Sequence, residues 1–127
     1  MEELALADIV ELPFIERDVL RAIYERCDLL LLTSDREGYG LPVLEAFAAG
    51  KPVVASGVPE LAGVGPDVVL ADGTAEFVGA VEEALERDTD ADRARRQELA
   101  ARNSWETRTD RLLGLVAKEL DARSLAA

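Results

Sequence analysis

The sequence predicts an α/β fold built on a small parallel sheet with helices on both faces. Two observations carry this expectation. Residues 29–33, 53–55 and 68–70 (LLLLT, VVA and VVL) are continuous apolar runs of strand length. Runs without polar alternation mark strands covered on both faces, as parallel strands are. Apolar residues at helical spacing lie between and after those runs, which gives the order strand, helix, strand, strand, helix of an α/β chain.

Each element has its own signal. Residues 9–12 (IVEL) are expected to form a short strand, ended by Pro13. Residues 18–26 read as a helix with Val19, Leu20 and Ile23 as its apolar stripe. After the strand over 29–33 comes a loop over 34–40. Residues 41–49 read as a second helix: Pro42 fits a first turn, where its missing N–H costs nothing, and Gly50 fits the left-handed position past the end. Between the second and third strands, SGVPELAGVGPD reads as loop with one helical turn. Thr74 is expected to cap a helix running to Arg87, with Phe77, Val78, Val81, Ala84 and Leu85 as its buried stripe. Asp90 opens an Ala/Arg-rich helix ending near Arg102, and Ser104 caps a last helix whose Leu112, Leu113, Val116 and Leu120 share one face. Three strands are few for an open doubly wound sheet, so the chain reads as though it begins within a domain.

Composition sets the outer limits. A chain of 127 residues, 49% hydrophobic and 31% charged, suits one soluble globular domain. No apolar run approaches the ~20 residues of a membrane span, and MEELALADIVEL lacks the basic region and apolar core of a secretory leader. A cytoplasmic location is expected. The chain has no histidine and one cysteine, Cys27, which leaves no internal disulfide, no zinc site and no histidine-based triad. The formal charge of -12, from 14 basic and 26 acidic residues, repels nucleic acid and anionic lipid. Any bound anion therefore needs a local dipole or basic patch to overcome it.

One segment supplies such a dipole. Glu37 to Glu45 reads EGYGLPVLE and joins the apolar run to the second helix. In open α/β sheets ligands sit beyond the carboxyl ends of the strands, where this loop lies. Gly38 and Gly40 permit a sharp turn and close backbone approach. The helix that starts near Leu41 presents unpaired N–H groups and a positive dipole end, an anion site without a basic side chain. Carboxylates repel phosphate but accept hydroxyls, so Glu45, one turn into the helix, suits a ribose, and Glu37 suits a sugar. A pyrophosphate between two hydroxyl-bearing rings is the chemistry of a nucleotide sugar. Taken singly, Glu37 serves equally as a helix-dipole partner and Glu45 as a solvated helix-face residue. Gly38-Tyr39-Gly40 starts a GxGxxG, but Val43 stands where its third glycine belongs, and Gly50-Lys51-Pro52 lacks the Ser/Thr of a P-loop.

The longer stretch EGYGLPVLEAFAAGKPVVAS resembles the carboxy-terminal lobe signature of the family 4, or group 1, glycosyltransferases, retaining enzymes of the GT-B fold. That signature is a Glu, seven residues and a second Glu, here Glu37 and Glu45. The flanks are similar too: DLLLLTS before it, Val58-Pro59-Glu60 after the next strand, and Asn103-Ser104-Trp105-Glu106 at the last helix. The resemblance implies a partial Rossmann-like donor lobe over residues 1–127, with the amino-terminal acceptor lobe absent. It implies that Glu37 contacts the donor sugar near the reacting carbon. The backbone of Gly38, Tyr39, Gly40 and Leu41 would hold the diphosphate or sugar, and Glu45 the ribose. It also implies a nucleotide-diphosphate sugar as donor substrate, no cofactor and no required metal. The acceptor would be a sugar, lipid or other hydroxyl compound held by the missing lobe. Nucleic acid is no partner; self-association or a partner chain supplying the missing lobe is expected. The Arg and Lys with which the family holds the diphosphate lie upstream of the matched region, Lys51 does not replace them, and Gly57-Val58 stands where the family often has two glycines. The alternatives are a non-catalytic interaction or scaffold domain on the same fold, and another nucleotide-binding α/β protein.

Overall fold

The computed structural model describes residues 8–36, 40–57, 59–61 and 67–126. Strands β1 (Leu30–Leu32), β2 (Val53–Ser56) and β3 (Val68–Ala71) form a sheet in the order β1-β2-β3. Both pairings are parallel, with Leu30, Val53 and Val68 level and Leu32, Ala55 and Leu70 level. Helix α1 (Arg17–Arg26) precedes β1, and α2 (Leu41–Ala48) crosses from β1 to β2. A 3-10 turn at Pro59–Leu61 lies between β2 and β3. After β3 come α3 (Thr74–Arg87), α4 (Asp90–Arg102) and α5 (Trp105–Leu125). The parallel α/β class read from the apolar runs is the class the chain adopts.

Strand residues alternate between faces, and the core lies mainly on one of them. Val53, Ala55 and Val68 meet Val43, Ala46 and Phe47 of α2, Leu61 of the 3-10 turn and Ala100 of α4. Val54 points the other way and is fully buried, on the side where α3 crosses β2 and β3. The two ends of α2 are set by glycine: Gly40 is left-handed at its start (φ 65) and Gly50 left-handed past its end (φ 74). A Cβ on Gly50 would meet Arg93 Cγ at 2.5 Å, so both conformation and space exclude other residues there.

α4 is fastened to α2 by a buried cation. Arg96, 3% exposed, donates from Nε (3.2 Å) and Nη2 (2.8 Å) to the Gly50 carbonyl, and from Nη2 to Asp88 (2.8 Å). One guanidinium thus satisfies a carbonyl just past the α2 carboxyl end and a carboxylate before α4. The start of α4 is a capping box, Thr89 with Asp92. Arg95 then joins Asp92 to Asp67 beside β3, donating from Nε to both Asp67 oxygens (3.0 and 3.1 Å). These bonds hold the Asp92 carboxyl below its ordinary pKa, with Thr89 as the largest cause.

Several expectations are corrected. Residues 9–12 make no strand: Ile9, Val10 and Leu12 are exposed, and without a neighbouring strand an extended run has nothing to pair with. β1 is not covered on both faces, since Leu31 is 51% exposed. On α1 the inward residues are Leu20 and Tyr24, whereas Val19 and Ile23 face out. Thr74 is the first residue of α3 and Gly73 its N-cap; Asp72 N–H there donates to Glu76 (2.8 Å). In the α3 stripe Phe77, Val81 and Ala84 are half-buried, but Val78 and Leu85 are exposed. Ser104 caps α5 as expected, accepting from Thr107 N–H (3.1 Å). Leu112, Leu113, Val116 and Leu120 of α5 share a face yet stay 47–61% exposed.

Candidate functional site

Parallel strands put all their carboxyl ends at one edge of the sheet, and that edge collects the candidate residues. The loop leaving β1 enters α2 through Gly40, which is buried and left-handed (φ 65, ψ 34). An L side chain is strained in that conformation. Among the described residues no side chain caps α2, and Pro42 lies in its first turn without an N–H. Leu44 N–H closes the first helical bond on the Gly40 carbonyl (3.1 Å). The first-turn donors are then the N–H groups of Leu41 and Val43, at the positive end of the helix.

Of the sequence-derived site residues, Gly40, Leu41 and Glu45 sit together on the first turns of α2. Leu41 and Glu45 are exposed. Glu37, Gly38 and Tyr39 lie outside the described residues, as does Val58. The remaining strand ends add polar groups that sequence reasoning missed. Ser56 Oγ reaches back from β2 to the Leu32 carbonyl (3.5 Å). The Asp72 carboxylate, after β3, lies over Gly57, where an added Cβ would fall 2.6 Å from its oxygen. Gly57 is not in the left-handed region, and a side chain there would displace the exposed Asp72 carboxylate.

Tyr24 is the other residue that sequence reasoning missed. Its ring packs partly buried against the core cluster that includes Val43, Ala46 and Phe47. Burial pushes the phenol up to about 12, and the charge of the Glu45 carboxylate adds to this. Only the i, i+4 relation of Leu20 and Tyr24 could have signalled an inward tyrosine; nothing local links it to Glu45.

The family described as "Glycosyl transferases group 1" matches this chain over residues 1–103. A D-inositol 3-phosphate glycosyltransferase of Mycolicibacterium smegmatis is 33% identical over 125 residues, 94% of this chain and 29% of that protein. One of the same name from Geodermatophilus obscurus is 32% identical over 133 aligned positions, 98% of this chain and 29% of that protein. An uncharacterized glycosyltransferase of Methanocaldococcus jannaschii is 42% identical over 50 residues, 39% of this chain and 13% of that protein. The chain spans less than a third of the length of these curated relatives. A parallel α/β sheet, a glycine-started helix at its carboxyl edge and a family match over most of the sequence agree: the chain belongs to the group 1 glycosyltransferases.

Proposed function

We propose that these residues form the donor-binding lobe of a retaining glycosyltransferase that takes its sugar from a nucleotide-diphosphate sugar. The observation that best supports this is the left-handed Gly40 start of α2 at the carboxyl edge of the sheet, inside the EGYGLPVLE segment. The first-turn N–H groups receive the diphosphate through their dipoles, which an acidic chain needs in place of a cationic surface. Glu45 accepts from the ribose hydroxyls. Glu37 accepts from the donor sugar near the carbon that changes partner, and the charge developing on the departing diphosphate is stabilised at the helix end. The acceptor, a sugar, lipid or other hydroxyl compound, is held by a lobe beyond these residues, in the same or a partner chain. The relatives' extra length is room for such a lobe. Because the anion is held by backbone dipoles, donor binding needs no metal and survives a chelator.

The test is a pair of substitutions in an enzyme that includes an acceptor lobe. A ribose is held alike before and during reaction, so Glu45→Ala raises the donor KM with less effect on turnover. Contacts beside the reacting carbon strengthen in the transition state, so Glu37→Gln lowers kcat more than donor affinity. Losing one hydrogen bond to a charged group costs ~1.5–3 kcal/mol, roughly ten- to a hundredfold. If both variants match the parent enzyme in calorimetry and initial rates, the two acids are surface residues and the assignment falls.

A further inference from the structure

Helix α5 is the longest helix of the chain, and the described residues leave it uncovered: it holds no buried residue, and from Thr109 on every position is exposed. Most of a helix's stability in a protein comes from packing an amphipathic face. α5 has such a face. At 3.6 residues per turn Trp105, Leu112, Leu113, Val116 and Leu120 fall within about 100° of arc, and they are 47–71% exposed. The helix carries four basic and four acidic residues, so it lacks the cationic excess of a helix that lies on anionic lipid. Its charges are ordered along the stripe. Arg108 and Glu119 border it on the same flank, and Arg123 points in the direction of Trp105, five turns away.

These positions are symmetric about Gly114. Trp105 and Arg123 each lie nine residues from it, Leu112 and Val116 each two, and Arg108 and Glu119 six and five. We propose that α5 is a self-association surface, on which two copies of the chain pair their α5 helices antiparallel about a two-fold axis level with Gly114. About such an axis the same flank of both helices meets. Arg108 therefore comes level with Glu119 of the second copy, and Leu112 with Val116 of the second copy. Trp105 comes level with Arg123 of the second copy. The indole has the Arg108 guanidinium 5.8 Å from its ring centroid and, at 71% exposure, keeps surface for a second cation. A parallel copy would instead set the two Arg123 guanidiniums side by side and part Arg108 from Glu119. The five apolar side chains expose roughly 550 Å² on each copy, and with the flanking Arg108, Glu119 and Arg123 the pair reaches the ~1,200 Å² at which specific interfaces begin. This surface is independent of the donor reading.

Sedimentation velocity at ~0.15 M salt, where the Debye length is about 8 Å, measures the monomer–dimer equilibrium of the parent chain, Arg108→Glu, Glu119→Arg and an equimolar mixture of these two variants. The parent should form a dimer. Each reversal alone sets like charges together twice per dimer and should weaken it about tenfold. A mixed dimer has both pairs opposite in sign, so association in the mixture should return to within about threefold of the parent. Changes inside one helix, such as loss of the Glu119 bond to Arg123 (3.1 Å), are the same in the mixture and cannot produce that recovery. Trp105 is the chain's one tryptophan. Its fluorescence should change with concentration in the parent and not in Val116→Asp, which should be monomeric with the far-UV dichroism of the parent. A parent that stays monomeric at millimolar concentration overturns the proposal and leaves the stripe to a segment outside these residues or to another protein. A dimer that survives Val116→Asp uses another surface, and a mixture no tighter than its components excludes the antiparallel pairing; either result overturns the proposal.

Discussion

Replacing Arg96 by Met should remove about 3 kcal/mol of stability, a large part of what a small domain has. The guanidinium is nearly inaccessible and makes three bonds, two to the Gly50 carbonyl and one to Asp88. Deleting it strands both partners. Removing one member of a buried ion pair costs ~3–5 kcal/mol, and Asp88, with 23% of its side chain exposed, places the loss at the low end because water reaches the freed carboxylate. Within that loss the stranded Gly50 carbonyl accounts for about 1 kcal/mol. A domain of this size loses about 3–6 °C of Tm per kcal/mol, so thermal scans should show a drop of roughly 10–15 °C. Arg96→Lys keeps the charge but not the fork, and should lose about half as much. Asp88→Asn in the Arg96→Met background should recover the part due to the stranded carboxylate and leave the part due to the carbonyl. A Tm loss within about 3 °C for Arg96→Met, or no recovery in the double variant, would show that this guanidinium does not fasten α4 to α2.

Gly50→Ala should cost about 1–2 kcal/mol in urea unfolding, from the left-handed backbone together with displacement of the Arg93 side chain. The Tyr24 phenol has its pKa raised in the folded state, so its contribution is complete below pH 10 and is lost as pH rises from 10 to about 12. With the ring partly solvated, about 1 kcal/mol is expected as the difference between the parent and Tyr24→Phe over that window. With a charge of -12, thermal midpoints should rise from low salt to ~0.15 M, where the Debye length is about 8 Å; a flat or falling midpoint would show that the acids are locally balanced. Purified alone, these 127 residues should transfer no sugar from a nucleotide sugar to an acceptor, and measured turnover would refute the proposed division of donor and acceptor sites. The exposed apolar residues of the sheet and of α5 should make the chain associate, and a strictly monomeric species by light scattering at high concentration would refute that.

What was legible in the sequence was whatever one segment decides by itself. The unbroken apolar run VVA is β2, whose Val53, Val54 and Ala55 are fully buried, because a central parallel strand is covered on both sides. Pro42 and Gly50 bracket α2 for local steric reasons that hold in any surroundings. The failures are those where a second segment decides. Gly57 lies in the segment read as loop after β2, and the Asp72 carboxylate beside it comes from beyond the next strand.

The exposed stripes follow the same logic. Leu112, Leu113, Val116 and Leu120 recur at helical spacing, and Val19, Ile23, Leu31, Val78 and Leu85 lie in apolar stripes or runs of the same kind. Periodicity records that a face is apolar. It does not record which atoms cover it. Val54 and Leu31 are level neighbours on the same sheet face; Val54 is fully buried while Leu31, on the outer strand, stands half open. The difference is position in the sheet, not residue type: among the described residues β2 has a strand on each side and a helix above, and β1 has a neighbour on one side. An apolar residue on an outer parallel strand marks the place where the hydrophobic effect would favour a further layer or strand. The end of β1 that leads into Gly40 and this open edge belong to the same strand. Whatever pairs with β1 would therefore sit beside the proposed donor site, and would be well placed to add the cationic diphosphate contacts expected to lie upstream.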